Sequence, residues 1–199
     1  EDYLRGQEAL KQPTTEATIE KSRGFFRSAL AADAGFARAQ AGICRADIKR
    51  FTSLRLADAF TEAEAACARA EAMDPALREV DLAMGELYQV KGMADQAIAR
   101  FTRALEDPAL RVDANLGLAK VEADRKNAPL ALTYFDRAAA LSPGNWSVYS
   151  QRGYFHYTRN EYDCIGNMGL VLGTCRNPTL LFGSAGGILE WINDPAVSI

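Results

Sequence analysis

The 199-residue chain is poor in the groups from which most chemistry is built, with one histidine, four cysteines and two tryptophans. A lone histidine, His156, leaves no histidine cluster for a metal and no partner for a histidine-based dyad. Excess charge is missing too. There are 23 Lys and Arg against 26 Asp and Glu, a net charge of −3, so nucleic acid is not an expected partner. The longest apolar stretch, Leu180 to Ile192, is too short to cross a bilayer and carries Glu190, so this segment is not expected to insert directly into a membrane. Position 1 is Glu, with no initiator Met and no secretory n-region or h-region, so the chain is expected to be a mature protein or a piece of a longer one. Alanine is what the chain has in quantity: 35 residues, 33 of them before Leu141. Alanine has the highest helix propensity, and its small side chain lets helices approach closely, so the composition implies packed helices. It then vanishes between Leu141 and Ser184, while eight of the fifteen glycines follow Leu141.

Internal repetition decides the fold class. Ala63, Ala97 and Ala131 are spaced 34 apart, as are Ala70, Ala104 and Ala138, and Cys67, Phe101 and Phe135. Gly85, Ala119 and Gly153 form a fourth series at the same interval. Stepping back by 41, one period plus a seven-residue insertion, reaches Ser22, Phe26 and Ala29. Each unit reads as helix, short turn, helix. Lys91-Gly92, Lys126 to Pro129 and Arg159-Asn160 mark turns, and Pro75, Pro108 and Pro143 close the second helices.

In these residues the sequence resembles the tetratricopeptide repeats. The match is carried by Gly85-Glu-Leu-Tyr88 through Ala97-Ile-Ala-Arg-Phe101-Thr-Arg-Ala104, and by Ala131-Leu-Thr-Tyr-Phe135-Asp-Arg-Ala138 ending at Pro143. The resemblance implies an all-α, right-handed superhelical solenoid of antiparallel helix pairs with a concave inner face. About five pairs and a capping helix near Leu180–Trp191 are expected. The expected layout is one solenoid domain over 1–199: a degenerate first pair at 1–36, a second with the insertion at 37–75, then 76–109, 110–143, a divergent fifth at 144–178 and a cap at 179–199.

No catalytic residue, metal site or cofactor is expected. His156 lies in Tyr154-Phe155-His156-Tyr157 and reads as a packed core residue. Gly183-Ser-Ala-Gly186-Gly187 has neither a preceding strand nor a following Gly-Lys-Ser/Thr, so it reads as a helix contact and not a phosphate loop. The acidic residues scatter along solvated helix faces.

The four cysteines are Cys44, Cys67, Cys164 and Cys175. In the repeat register Cys44 takes the place of Gly85, and Cys67 that of Phe101. In an antiparallel hairpin these positions are level and facing, close enough for a disulfide; two buried free thiols are the alternative. The loop such a bond would close contains the insertion, placed between Lys49 and Thr61. Cys164 and Cys175 are expected as free thiols on a weak or kinked helix. A disulfide implies an oxidising compartment. The segments Ala41-Gly-Ile-Cys44-Arg-Ala-Asp and Ala63-Glu-Ala-Ala-Cys67-Ala-Arg-Ala also look like extracytoplasmic repeat portions of some proteobacterial signalling proteins. That resemblance favours the periplasm over the cytoplasm and transfers no kinase activity, since no kinase motif is present.

The family lines its groove with outward positions of each first helix. Carried by register, these include Arg38, Ala41, Arg45, Ile48 and Lys49 in the second unit, Glu79, Leu82, Glu86 and Gln89 in the third, Asp113, Leu116, Lys120 and Asp124 in the fourth, and Tyr154 and Tyr157 in the fifth. The groove is therefore expected to run from a basic end through an acidic middle to an aromatic end. The Lys and Asn pattern of the family's carboxylate clamp is not met. Two functions follow as expectations: a non-catalytic module binding a peptide or partner domain through this groove, within a larger regulatory or assembly protein, or a scaffold that oligomerises or positions a neighbouring domain. The apolar residues Leu170 to Leu172, Leu180 to Phe182 and Ile188-Leu189 would supply the self-contact of the second reading.

Overall fold

A computed structural model describes residues 1–159, and among them the chain forms helices and no strand. The helices are α1 (Asp2–Lys11), α2 (Glu16–Ala32), α3 (Ala37–Leu54), α4 (Ala57–Met73), α5 (Arg78–Val90), α6 (Ala94–Ala104), α7 (Arg111–Asp124), α8 (Ala128–Leu141) and α9 (Trp146–Thr158). The described residues fall into two compact units, Glu1–Ser142 and one that begins at Pro143. The first contains α1 to α8. The described part of the second is α9.

Local chemistry sets the helix ends. Thr15 and Thr18 form a reciprocal capping box at the start of α2. Asp33, Asp74 and Asp107 each follow a second helix, and each accepts the backbone N–H two residues on, at 2.9, 3.0 and 2.9 Å. These side-chain turns recur between pairs and redirect the chain into the next first helix. Gly92 adopts φ +72° at the α5–α6 turn, which a residue with a Cβ would adopt only under strain.

Within the first unit, α1 packs on α2, α3 on α4, α5 on α6 and α7 on α8, and the first helices α1, α3, α5 and α7 pack in sequence. The repeating positions are the core: Ala63, Ala97, Ala131, Ala70, Ala104, Ala138, Cys67, Phe101 and Phe135 are all fully buried or nearly so. Phe26 and Phe101 are each clasped between two glycines. A Cβ built on Gly6 or Gly42 would lie 2.6 Å from the Phe26 ring, and one on Gly85 would lie 2.7 Å from Phe101. Gly117 closes on Phe101 from the following first helix. Each clasp ties a second helix both to its own partner and to the next pair, and burying one phenyl group contributes about 1.5–3 kcal/mol. This is how neighbouring pairs come to share a core.

The seven-residue insertion does not form a loop. It lengthens both helices of the second pair, to 18 residues in α3 and 17 in α4, against 13 and 11 in α5 and α6. The extra turns are occupied. Leu54 packs on Leu10, Ile19 and Ala46, and the Phe51 and Phe60 rings lie 5.1 Å apart. Arg50 bonds Glu62 at 2.7 Å and also reaches Asp47 and Glu20, both at 3.4 Å. The buried Asp47 carboxylate is also held by Arg23 at 2.8 Å; desolvation still pushes its carboxyl above the ordinary value.

Candidate partner-binding face

The face built by α1, α3, α5 and α7 carries the residues singled out by register. Its floor is apolar: Ala41, Ile48, Leu82 and Leu116, outward in the family register, are buried here. Above the floor the charges are paired across helices. Arg38 of α3 meets Glu79 of α5 at 2.8 Å. Arg45 of α3 grips Glu86 of α5 through two nitrogens, at 3.0 and 2.8 Å, and reaches Asp113 of α7 at 2.9 Å. Gln89 of α5 donates to Asp124 of α7 at 3.2 Å. Lys49 donates at 2.6 Å to the carbonyl of Leu10, one of the terminal carbonyls of α1 that lack a partner within the helix.

These pairings revise the expected charge pattern. The cations of the second unit do not form a basic end, because Arg38 and Arg45 are neutralised by carboxylates of the next two first helices and Lys49 ties down α1. Register alone hides this, since each partner lies on a different repeat.

Confinement shows in the ionisation of the groups. Desolvation lowers the Lys49 ammonium from its ordinary value, and Arg45 beside it adds to the effect. Desolvation also leads in lowering Lys120, with Arg45 adding to it and the carboxylates of Glu86 and Asp113 opposing. For Asp113, burial raises the carboxyl, but the charge and hydrogen bond of Arg45 outweigh it and hold it below the usual carboxylate range.

No protein-family model and no curated protein matches this chain. Solved structures do. A thermophilic TPR protein of Thermus thermophilus superposes with a TM-score of 0.57 at 16% identity, over 78% of this chain and 80% of that one. PilF of Pseudomonas aeruginosa superposes with a TM-score of 0.58 at 19% identity, over 88% and 76%. The fold is that of the tetratricopeptide-repeat proteins. At such identities the likeness speaks for the architecture, an all-α solenoid of helix pairs, and leaves function to the residues themselves.

On this tetratricopeptide-repeat scaffold the second pair carries a substitution within the phenylalanine clasp. The Cα atoms of Cys44 and Cys67 are 5.0 Å apart and the sulfurs are within bonding distance. Cys67 stands where α2 and α6 have Phe, and Cys44 where α5 has Gly. The cystine therefore fills the volume of a phenyl ring lying on a glycine.

Tyr154 and Tyr157 lie on α9 in the second unit, and both are exposed. His156, on the same helix, is buried. Cys164, Cys175, the glycine-rich Gly183–Gly187, the apolar residues from Leu170 to Leu189 and the cap expected near Leu180–Trp191 lie outside the described residues. Among the described residues, no helix is long and apolar enough to cross a membrane, and no group of three or more His, Cys, Asp or Glu is placed to hold a metal ion.

Sequence reasoning missed the contribution of α1. Tyr3 and Gln7 line a small cleft with Arg38, Arg45, Glu79 and Leu82. Gln7 donates to the Tyr3 hydroxyl at 2.5 Å, and burial, followed by Glu79, raises the Tyr3 phenol above its ordinary value. The first pair departs from the 34-residue register, so no periodic signal marks these residues. In the structure α1 is held to α2 by Ser22, which donates to the Gly6 carbonyl at 2.8 Å.

Proposed function

We propose that the chain is a non-catalytic protein-interaction module that takes an extended peptide or partner segment along the first-helix face of Glu1–Ser142. The observation that carries this reading is the arrangement of that face: an apolar floor from Ala41 and Leu82, rimmed by Arg38, Gln89, Lys120 and Asp124 from three successive helices. A main chain crossing it would meet hydrogen-bonding groups at regular intervals. The ionisable groups of the face engage one another, which supports recognition over proton transfer as its work. Carboxylates stand among the cations, which argues against a nucleic acid backbone as ligand. Closeness of Cys44 and Cys67 favours an oxidised pair and with it an extracytoplasmic location, within a larger regulatory or assembly protein.

A displayed library of random peptides tests the reading. Selection on the parent chain is expected to enrich peptides whose affinity falls about tenfold, near 1.4 kcal/mol, with Lys120→Glu and Gln89→Ala. Arg69→Glu, on the outer side of α4, is expected to leave it unchanged. No enrichment, or binding indifferent to Lys120 and Gln89, contradicts the proposal.

A further inference from the structure

The packing of a solenoid joins each pair to its immediate neighbours. One polar contact of this unit goes further. Arg45 on α3 bonds Asp113 on α7 at 2.9 Å, across 68 residues and past the intervening α5. The same guanidinium is anchored on α5 by its two bonds to Glu86. We propose that Arg45 is a latch across the first-helix face, with Glu86 as its seat and Asp113 as its catch, and that the latch holds Glu1–Ser142 more tightly curled than nearest-neighbour packing alone would.

The geometry supports this in three ways. The side chains of Arg45 and Glu86 are 18% and 25% exposed and that of Asp113 43%, so the seat is more enclosed and the catch stands towards the open side of the face. The two bonds to Glu86 fix the plane of the guanidinium, and Nη2, one of the two nitrogens in those bonds, carries its second N–H to Asp113 on α7. Asp113 sits in the first turn of α7, where a carboxylate is favourable to the helix, so its place does not depend on Arg45 alone. Parting the catch therefore leaves both ends with a partner: Glu86 for Arg45, and the amino end of α7 for Asp113. A contact that can open without stranding a charge is suited to reversible opening, and an occupant reaching the floor of the face has to open it.

The latch is tested without any ligand, so its failure would leave the peptide-binding proposal standing. Spin labels introduced through non-cysteine chemistry at the exposed Ala68 of α4 and Ala140 of α8 report the distance between those helices by pulsed electron resonance in the full chain. Asp113→Asn is expected to shift the distribution by several ångström and broaden it, with helical circular dichroism retained, and Asp113→Glu is expected to restore the parental distribution. Raising salt to 1 M on the parent chain, which shortens the screening length to about 3 Å, is expected to shift it in the same direction and needs no variant to fold. A distribution that stays parental in both the folded Asp113→Asn chain and high salt overturns the latch; if the variant unfolds, the salt series decides alone.

Discussion

Phe26, Phe101 and Phe135 occupy one recurring position of the second helices, and Cys67 takes it in the second pair. Phe26 and Phe101 have glycine on both facing helices, whereas Phe135 has Ala119 at one of the matching positions. Gly6 and Gly42 serve Phe26, and Gly85 and Gly117 serve Phe101, while Cys67 faces Cys44 and, by register, Ala83. Cys67→Phe alone therefore overpacks, costing about 1–3 kcal/mol beyond the roughly 3 kcal/mol a cross-link closing such a loop contributes. Adding Cys44→Gly and Ala83→Gly is expected to recover the packing share. Thermal unfolding with and without reductant reads both effects: the parent melts lower when reduced, and the triple variant does not respond. A parent melt unaffected by reductant, or four free thiols in unreduced denatured protein, contradicts the cross-link. The burial of these positions was legible in the sequence because one period runs through them all. The glycines that clasp the rings were not, because each ring takes one from the helix before it and one from the helix after it, so no single repeat holds the whole clasp.

At the scale of the element, the second hairpin carries the insertion and α7 receives the longest-range charge pair among the described residues. The insertion was visible as a break in period between Lys49 and Thr61, but its uptake as extra helical length in both arms was not. Seven residues are close to two helical turns, so one turn added to each arm keeps Cys44 level with Cys67. The charges were legible only as positions on a face. Which of them meet depends on side-chain reach between helices, as with Arg45 and Asp113, and no spacing encodes that. Asp113 gives this pairing a pH signature. Its carboxyl is held below the usual range in the folded chain, so it contributes stability above the unfolded value of about 3.9. That contribution is lost as pH falls through the lower folded value. The parent is thus expected to be more stable than Asp113→Asn by about 1 kcal/mol at neutral pH, because Asp113 is 43% exposed and solvent screens the pair. Denaturant unfolding across pH should show the gap closing below about pH 4. A gap independent of pH would assign the loss to something other than the ion pair.

Alanine, glycine and phenylalanine at one period build a stack of helix pairs in Glu1–Ser142, and the polar residues left on its first helices make a face with a closed floor and a charged rim. The central claim is that this face, and not the outer side of the second helices, meets a partner. A photoreactive residue placed at Gln89, in the cell that makes the protein, tests it most directly against the same residue at Ala68 on the outer side of α4. The account predicts a discrete cross-linked protein from Gln89, lost in Lys120→Glu, and none from Ala68. Cross-links from Ala68 with Gln89 silent would contradict it.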